Sequence, residues 1–309
     1  MPAKKVTPAL PDLYCIDASI YIFRAYFSMP ESIRDAKGRP VNAVYGFTDF
    51  LIKLIQETRP THIAAFFDES LTTSFRNQLY APYKANRELP PEDLERQLTL
   101  CREISRLLGA GDWAHAIYEA DDLIGACMRR HRAKIKRAII VSSNKDLAQL
   151  LLPDDVLWDY ARERRFDPAA VEAHFGVPPQ YIADYLALSG DAVDNIPGLP
   201  GIGQKTAAAL IQQYGGLDQI LKQTARIAES VTLRGARKIA ETLRTNADQA
   251  RLFLSITRIA TGKEVGGPGL RELKYRAPDV AGLTALFERE GFGDRLKNRV
   301  EKFAAALLK

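Results

Sequence analysis

Three short apolar runs, each closing within a few residues on an acidic or polar group, constrain this chain more than any other feature. Leu13 to Ile16, Thr61 to Phe67 and Arg137 to Val141 are brief and partly β-branched, the pattern of buried strands. Helical stretches separate them: Ile20 to Phe27, Ala43 to Glu57, Asp93 to Leu108 and Ala120 to His131. The alternation predicts an α/β domain around a mostly parallel sheet. In such sheets ligands bind beyond the carboxyl ends of the strands, so acids placed there are where chemistry is sought first. After about Asp167 the pattern becomes almost wholly helical, punctuated by Pro178, Pro179, Pro197, Pro200 and by Gly198, Gly201, Gly203, Gly215 and Gly216. This divides the chain into a tail at 1–10, an α/β core at 11–175 and a helical subdomain at 176–309. Within the last, residues 262–276 read as a connecting loop and 278–309 as two closing helices.

The acids fall in separate segments. Asp17 follows Leu13 to Ile16, and Asp68 follows Phe66-Phe67; an N-cap or a solvated turn is the plain alternative for each. Glu119, Asp121 and Asp122 open a helix, where the macrodipole favours acids, yet three carboxylates in four positions repel one another unless a cation joins them. Asn144 and Asp146 follow Arg137 to Val141, and Asp191 and Asp194 stand at the start of the helical part. Oxygen ligands without histidine or thiolate select magnesium or manganese over zinc. Two such ions about 3.5 to 4 Å apart suit phosphodiester chemistry. No Ser-His-Asp or Cys-His arrangement competes.

Two further segments suit a polyanion. Gly198-Leu199-Pro200-Gly201-Ile202-Gly203-Gln204-Lys205-Thr206 joins a turn to a helix, and amides at a helix start bind phosphate; Gly-x-Gly is also common in plain turns. Tyr83-Lys84-Ala85-Asn86-Arg87, with Arg76 before it, is either a solvated loop or a clamp in which Tyr83 stacks on a base while Lys84 or Arg87 offsets charge on a phosphate. Arg24 reaches the same phosphate or pairs with a core acid. Net charge is +5, weak by itself; if eight acids converge on metal ions, the remaining 30 face 43 Lys and Arg. Cys15, Cys101 and Cys127 lack Cys-x-x-Cys spacing and read as reduced core thiols. There is no apolar run of about 18 residues and no apolar signal core, so a cytoplasmic location is expected.

Taken together, Ile16-Asp17-Ala18-Ser19 with Arg24-Ala25-Tyr26, Phe67-Asp68, Phe75-Arg76 with Tyr83 to Arg87, Glu119 to Asp122, Lys145 to Leu150, and Gly190-Asp191 through Ala207 resemble the 5′ nuclease superfamily. The likeness is to the 5′ to 3′ exonuclease domain of bacterial DNA polymerase I and to stand-alone flap endonucleases of bacteria and phages. It implies a PIN-like α/β domain, a helical arch or clamp at about 70–100, and a helix-hairpin-helix of the helix-three-turn-helix type at about 190–215. It further implies one metal site from Asp17, Asp68, Glu119 and Asp121, and a second from Asp122, Asp146, Asp191 and Asp194 with Asn144. Lys84, Arg87, Arg24 and Tyr83 would serve catalysis. Arg76, Gly198, Gly201, Gly203, Gln204, Lys205 and Thr206 would contact DNA, with a potassium ion at the hairpin. No polymerase domain follows, so an independent, monomeric, cytoplasmic protein of DNA repair or replication is expected.

The implied activity is structure-selective hydrolysis of DNA, as a 5′ to 3′ exonuclease or 5′-flap endonuclease using two Mg2+ or Mn2+ ions. One departure from the resemblance matters: members of that superfamily usually carry aspartate where this chain has Asn144, so a weaker second site is expected. Two other readings stand beside it, a catalytically weakened protein that binds branched DNA and a ribonuclease.

Overall fold

The computed structural model describes residues 9–69 and 73–307; most of the expected tail lies outside them. Six strands form one sheet: β1 (Leu13–Asp17), β2 (His62–Asp68), β3 (Trp113–His115), β4 (Ala138–Val141), β5 (Val156–Asp159) and β6 (Arg164–Phe166), in the order β3-β2-β1-β4-β5-β6. All pairings are parallel except β5 with β6. The α/β expectation holds, and the first two strands of the expected set end on their acids, Asp17 and Asp68. The three strands without a clear sequence signal are only three or four residues long, too short for a periodic pattern.

Side-chain alternation explains why the strands are apolar throughout. Leu13, Cys15, Ala64, Phe66, Ala138 and Ile140 join one buried layer, and Ile16, Ile63, Ala65, Phe67, Ile139 and Val141 join the other. Successive residues point to opposite faces, so a sheet covered on both sides needs apolar residues at every position.

The layer of Ile16, Ile63 and Phe67 is covered by α1 (Ala18–Ser28), α2 (Asn42–Thr58) and, beyond the short α3 (Phe75–Leu79), by α4 (Glu92–Leu107). Leu94, Leu100, Cys101 and Ile104 of α4 are buried, and Gln97 Oε1 accepts from the amides of Ala43 and Val44 at 2.9 and 3.3 Å, satisfying two donors of the first turn of α2. α4 therefore packs one face into the core. Of the segment expected to arch over the site, residues 73–91 form α3 and a run of turns, and 70–72 lie outside the described residues.

The opposite face is covered by α5 (Ala120–His131) and then, without a break in the apolar cluster, by α6 (Pro168–Phe175), α7 (Ile182–Ser189), α8 (Gln204–Tyr214), α9 (Leu217–Lys222), α10 (Thr224–Ala228), α11 (Ala236–Thr245) and α12 (Ala247–Thr257). The chain then returns. Leu283, Leu286 and Phe287 of α13 (Val280–Glu290), with Leu296, Val300 and Phe303 of α14 (Asp294–Leu307), pack into the layer of α1, α2 and α4. The closing helices thus complete the α/β layer, not the helical part to which sequence order had assigned them. Among the described residues no helix is long and apolar enough to cross a membrane, and the three cysteines are buried and unpaired.

Phe303 is fully buried in this layer. Phe303→Ala is expected to cost about 3 kcal/mol, the lower end for a core Phe truncation, measured by urea unfolding. A loss below about 1 kcal/mol would mean that α14 does not seal the sheet layer.

Candidate active site

Strand order reverses at β1 and β4: the chain leaves β1 toward β2 on one side and returns to β4 on the other. Crossover helices diverge at such a point and open a crevice at the carboxyl ends of the strands. Asp17 ends β1 there. It occupies the N-cap position of α1 without a side-chain capping bond, and its Oδ2 accepts from Ser142 Oγ at 2.7 Å across the gap to the end of β4. Asp68 ends β2, and its Oδ1 accepts from the amide of Ala120 at the start of α5 at 2.9 Å. Asp121 in the first turn of α5 accepts from Asn144 Nδ2 at 2.7 Å.

Asn144 is held from both ends. Its Oδ1 accepts from the Asp146 amide at 3.0 Å while its Nδ2 donates to Asp121, which fixes the orientation of the amide. The expected bare ligand is thus a link between two groups of acids. Beyond it lie Asp146, in the 3-10 turn Lys145–Leu150, and Asp191 and Asp194, in the loop after α7. Each of these three offers a carboxylate oxygen within 4.8 Å of the others, and Asp146 Oδ1 is buried without a hydrogen bond. Hard oxygens packed this closely, one of them lacking a donor, fit a divalent cation. The whole cleft has a volume of about 440 Å³.

Cations close one side. Lys84 Nζ lies 2.6 Å from Glu119 Oε1, and Arg87 Nη2 donates to Asp194 Oδ1 at 2.7 Å. The Tyr83 hydroxyl sits between Glu119 Oε2 and Asp194 Oδ2 at 2.9 and 3.1 Å; with one proton it serves one acid at a time. Lys84 has φ 54°, a left-handed conformation costly for a side chain with Cβ, and its amide donates to the Asp194 carbonyl at 3.1 Å. The turn therefore ties the helix start bearing Glu119 to the loop bearing Asp194.

The charge balance is uneven. Burial, then Asp68, pushes Asp17 up to about 7; burial, then Asp17, pushes Asp121 well above the carboxylate range; burial outweighs Lys145 and brings Asp146 to about 6. Asp68 is raised by burial with partial relief from Lys84. Glu119 differs: burial pushes it up, but Lys84 and Arg76 more than offset this and leave it below its ordinary value. Among these acids, Glu119 alone has both oxygens engaged by cations, Oε1 by Lys84 and Oε2 by Arg76.

Several expected roles need correction. Asp122 does not line the cleft: it is fully buried, and both its oxygens accept from the Arg76 guanidinium at 2.7 Å. Arg76 is accordingly no DNA contact. It is 3% exposed and also donates to Glu119 and to the carbonyls of Ile256 and Arg258 at the end of α12. Tyr83, at 4% exposed, has no face free to stack on a base. Arg24 lies on the exposed side of α1 and does not line the cleft; it makes no ion pair among the described residues. Gly198 is buried against Gly190, where a Cβ would meet the Gly190 amide nitrogen at 2.3 Å, whereas Gly201 and Gly203 face open space beside exposed Gln204 and Lys205 and half-buried Thr206. Given no role from the sequence were Ser19, Phe23, Glu88 and Lys145, which line the cleft, and Ser142, whose hydroxyl holds Asp17. Lys145 and Ser142 lie within one turn of Asn144 in the strand-end segment, the one local signal available.

The fold and site define an α/β protein with a mostly parallel sheet whose switch point collects carboxylates, completed by acids from an attached helical region. Residues 12–176 match the 5′-3′ exonuclease N-terminal resolvase-like domain, and residues 177–281 match the 5′-3′ exonuclease C-terminal SAM fold. The chain belongs to the 5′-3′ exonuclease family. It is 38% identical over 278 residues to the 5′-3′ exonuclease of Aquifex aeolicus, covering 89% of this chain and 94% of that one. It is 40% identical over 256 residues to DNA polymerase I of Rhizobium leguminosarum, covering 81% of this chain but 24% of the polymerase. The chain thus spans about a quarter of such polymerases. In fold it is similar to T5 5′-exonuclease, with a TM-score of 0.67, 17% identity and coverage of 95% and 99%, and to Methanococcus jannaschii flap endonuclease-1, with a TM-score of 0.62, 16% identity and coverage of 97% and 93%.

The raised Asp17 carboxyl makes a signed stability prediction. A charge penalised in the folded state costs stability above its folded value and costs nothing below its unfolded value near 3.8. Asp17→Asn, which keeps an acceptor for Ser142, is expected to stabilise the protein in chelator at pH 8 by about 2 to 4 kcal/mol. The gain should shrink as pH falls from about 7 toward 3.8, followed by denaturant unfolding at each pH. Destabilisation at pH 8 would show that the site carries no such stored repulsion.

Proposed function

We propose that this protein is a structure-selective 5′ nuclease, a 5′ to 3′ exonuclease and 5′-flap endonuclease that hydrolyses DNA phosphodiester bonds with Mg2+ or Mn2+. One observation carries the reading: carboxylates from five separate segments meet in a single cleft whose wall is Lys84 and Arg87. Asp146, Asp191 and Asp194 would hold one ion, and Asp17, Asp68 and Asp121, with Glu119 beside them, the other. Bound there, the ions supply Lewis acidity at the phosphate and lower the cost of ionising water.

The protein's own groups account for the rest. Lys84 and Arg87 place positive charge where a phosphate approaches the acids, and the strained backbone at Lys84 keeps that charge in place. Phe23 on the cleft lining offers the aromatic face that Tyr83 lacks. The loop from Asp191 to Gly203 links the acids to the stretch Gly201 to Thr206, exposed at Gly201, Gly203, Gln204 and Lys205, which we read as the hairpin that grips duplex backbone, with a potassium ion at its carbonyls. Backbone contacts carry no direct base information, so binding should be sequence-independent and steeply salt-dependent. DNA-bound structures of related fold, among them the T5 flap endonuclease and the catalytic core of Rad2, support DNA as the partner, and zinc bound to T5 5′-exonuclease supports a divalent ion. A monomer acting in the cytoplasm completes the proposal.

Asn144 enters the same reading. It brings no charge to the second ion, and its amide is engaged by Asp121 and by the Asp146 backbone, so that ion is held by fewer charges. A 5′-labelled flap duplex should be cut in Mg2+ or Mn2+ and spared in chelator, with Lys84→Ala slower by about 10²-fold. Asn144→Asp should be half-activated at a lower metal concentration than wild type. Equal half-activation would remove the weak-site reading, and tight flap binding with no product in either metal would leave a branched-DNA-binding protein in place of a nuclease.

A further inference from the structure

Lys145 is the cation of the cleft for which the proposed chemistry has no use. Its Nζ lies 2.6 Å from Asp191 Oδ2 and 3.3 Å from Asp146 Oδ1. These are two of the three acids whose oxygens converge within 4.8 Å. The ammonium stands on oxygens that a divalent ion at that group requires.

The two lysines of the cleft are held differently. Lys84 is 11% exposed on a strained turn and packed over the Tyr83 ring, so it is fixed in place. The Lys145 side chain is 39% exposed and starts a short 3-10 turn, with solvent available to its end. Its pairing is also incomplete: Asp146 Oδ1 is at ion-pair distance from Nζ but outside hydrogen-bonding geometry, and it has no other donor. A partly exposed, partly satisfied pair yields to a stronger competitor at small cost, and a doubly charged ion with direct oxygen coordination is one.

We propose that Lys145 is a built-in counter-ion of the Asp146, Asp191 and Asp194 group, displaced by the divalent cation and thereby setting the metal concentration at which that site fills. The proposal rests on the reading of these acids as ligands. Without the lysine, three carboxylates would face one another with, among the described residues, Arg87 and Tyr83 in support at Asp194 and the Val193 amide at Asp191. With it, the group tolerates its own charge and releases a cation as it gains one. The freed ammonium then adds to the positive wall that faces a DNA phosphate.

The test is Mn2+ binding to the full chain without DNA, followed by the electron paramagnetic resonance of free Mn2+. Lys145→Met should bind the ion about three- to tenfold tighter than wild type, and Lys145→Gln likewise, since each removes a competing surface-type ion pair. Lys145→Arg, which keeps the charge, should remain close to wild type. Equal or weaker binding by both neutral variants, with thermal melting showing them folded, overturns the proposal and makes Lys145 a supporting charge. If neither wild type nor variants bind Mn2+, the ligand reading falls first and takes the proposal with it.

Discussion

Repulsion among carboxylates shut away from water is the constraint on which this structure turns. Asp17, Asp68 and Asp121 are each raised from the ordinary carboxylate value by burial; Asp68 raises Asp17 further, and Asp17 and Asp68 raise Asp121. An isolated charge in such a place would be removed by selection of a neutral residue, because its desolvation has no return in stability. Here the surroundings answer with donors: Ser142 to Asp17, the Ala120 amide to Asp68, Asn144 to Asp121, Lys84 to Glu119 and Lys145 to Asp191. A site that stores repulsion and meets it with partial compensation is primed for cations.

The position of the cleft follows from topology. Because β1 is central and the chain departs from it in opposite directions, the ends of β1, β2 and β4 share one edge, and the first turn of α5 is brought against Asp68. The remaining acids come from the loop after α7, which ties the helical region to the sheet through chemistry as well as packing. Arg76 reinforces that tie. Its buried guanidinium joins Asp122 and Glu119 of the α5 start to backbone carbonyls at the end of α12, so a residue that never reaches the cleft sets the relative placement of the parts that do. Breaking one member of such a network leaves a buried charge unpaired, which costs far more than an exposed pair.

What could be read without coordinates follows the same physics. Strands buried on both faces declare themselves as continuous apolar runs, and acids directly after them are conspicuous, so Asp17, Asp68 and Asp146 stood out from local pattern alone. Asp121 and Asp122 could not be told apart: adjacent on a helix, they point in different directions, and only the docking of α5 decides that one faces the cleft and the other Arg76. Tyr83 and Arg76 carried the signature of a surface clamp because their burial depends on contacts more than a hundred residues away for Tyr83 with Asp194 and for Arg76 with Ile256. Amphipathic helices at 280–290 and 294–307 announce an apolar face but not what it covers, which is how α13 and α14 were placed with the wrong layer.

Anomalous diffraction from crystals grown with Mn2+ tests the central claim most directly, because it locates bound ions without reference to turnover. The account predicts one peak among Asp146, Asp191 and Asp194 and another among Asp17, Asp68 and Asp121. Peaks confined to surface carboxylates, with the cleft acids keeping only their protein partners, would contradict it.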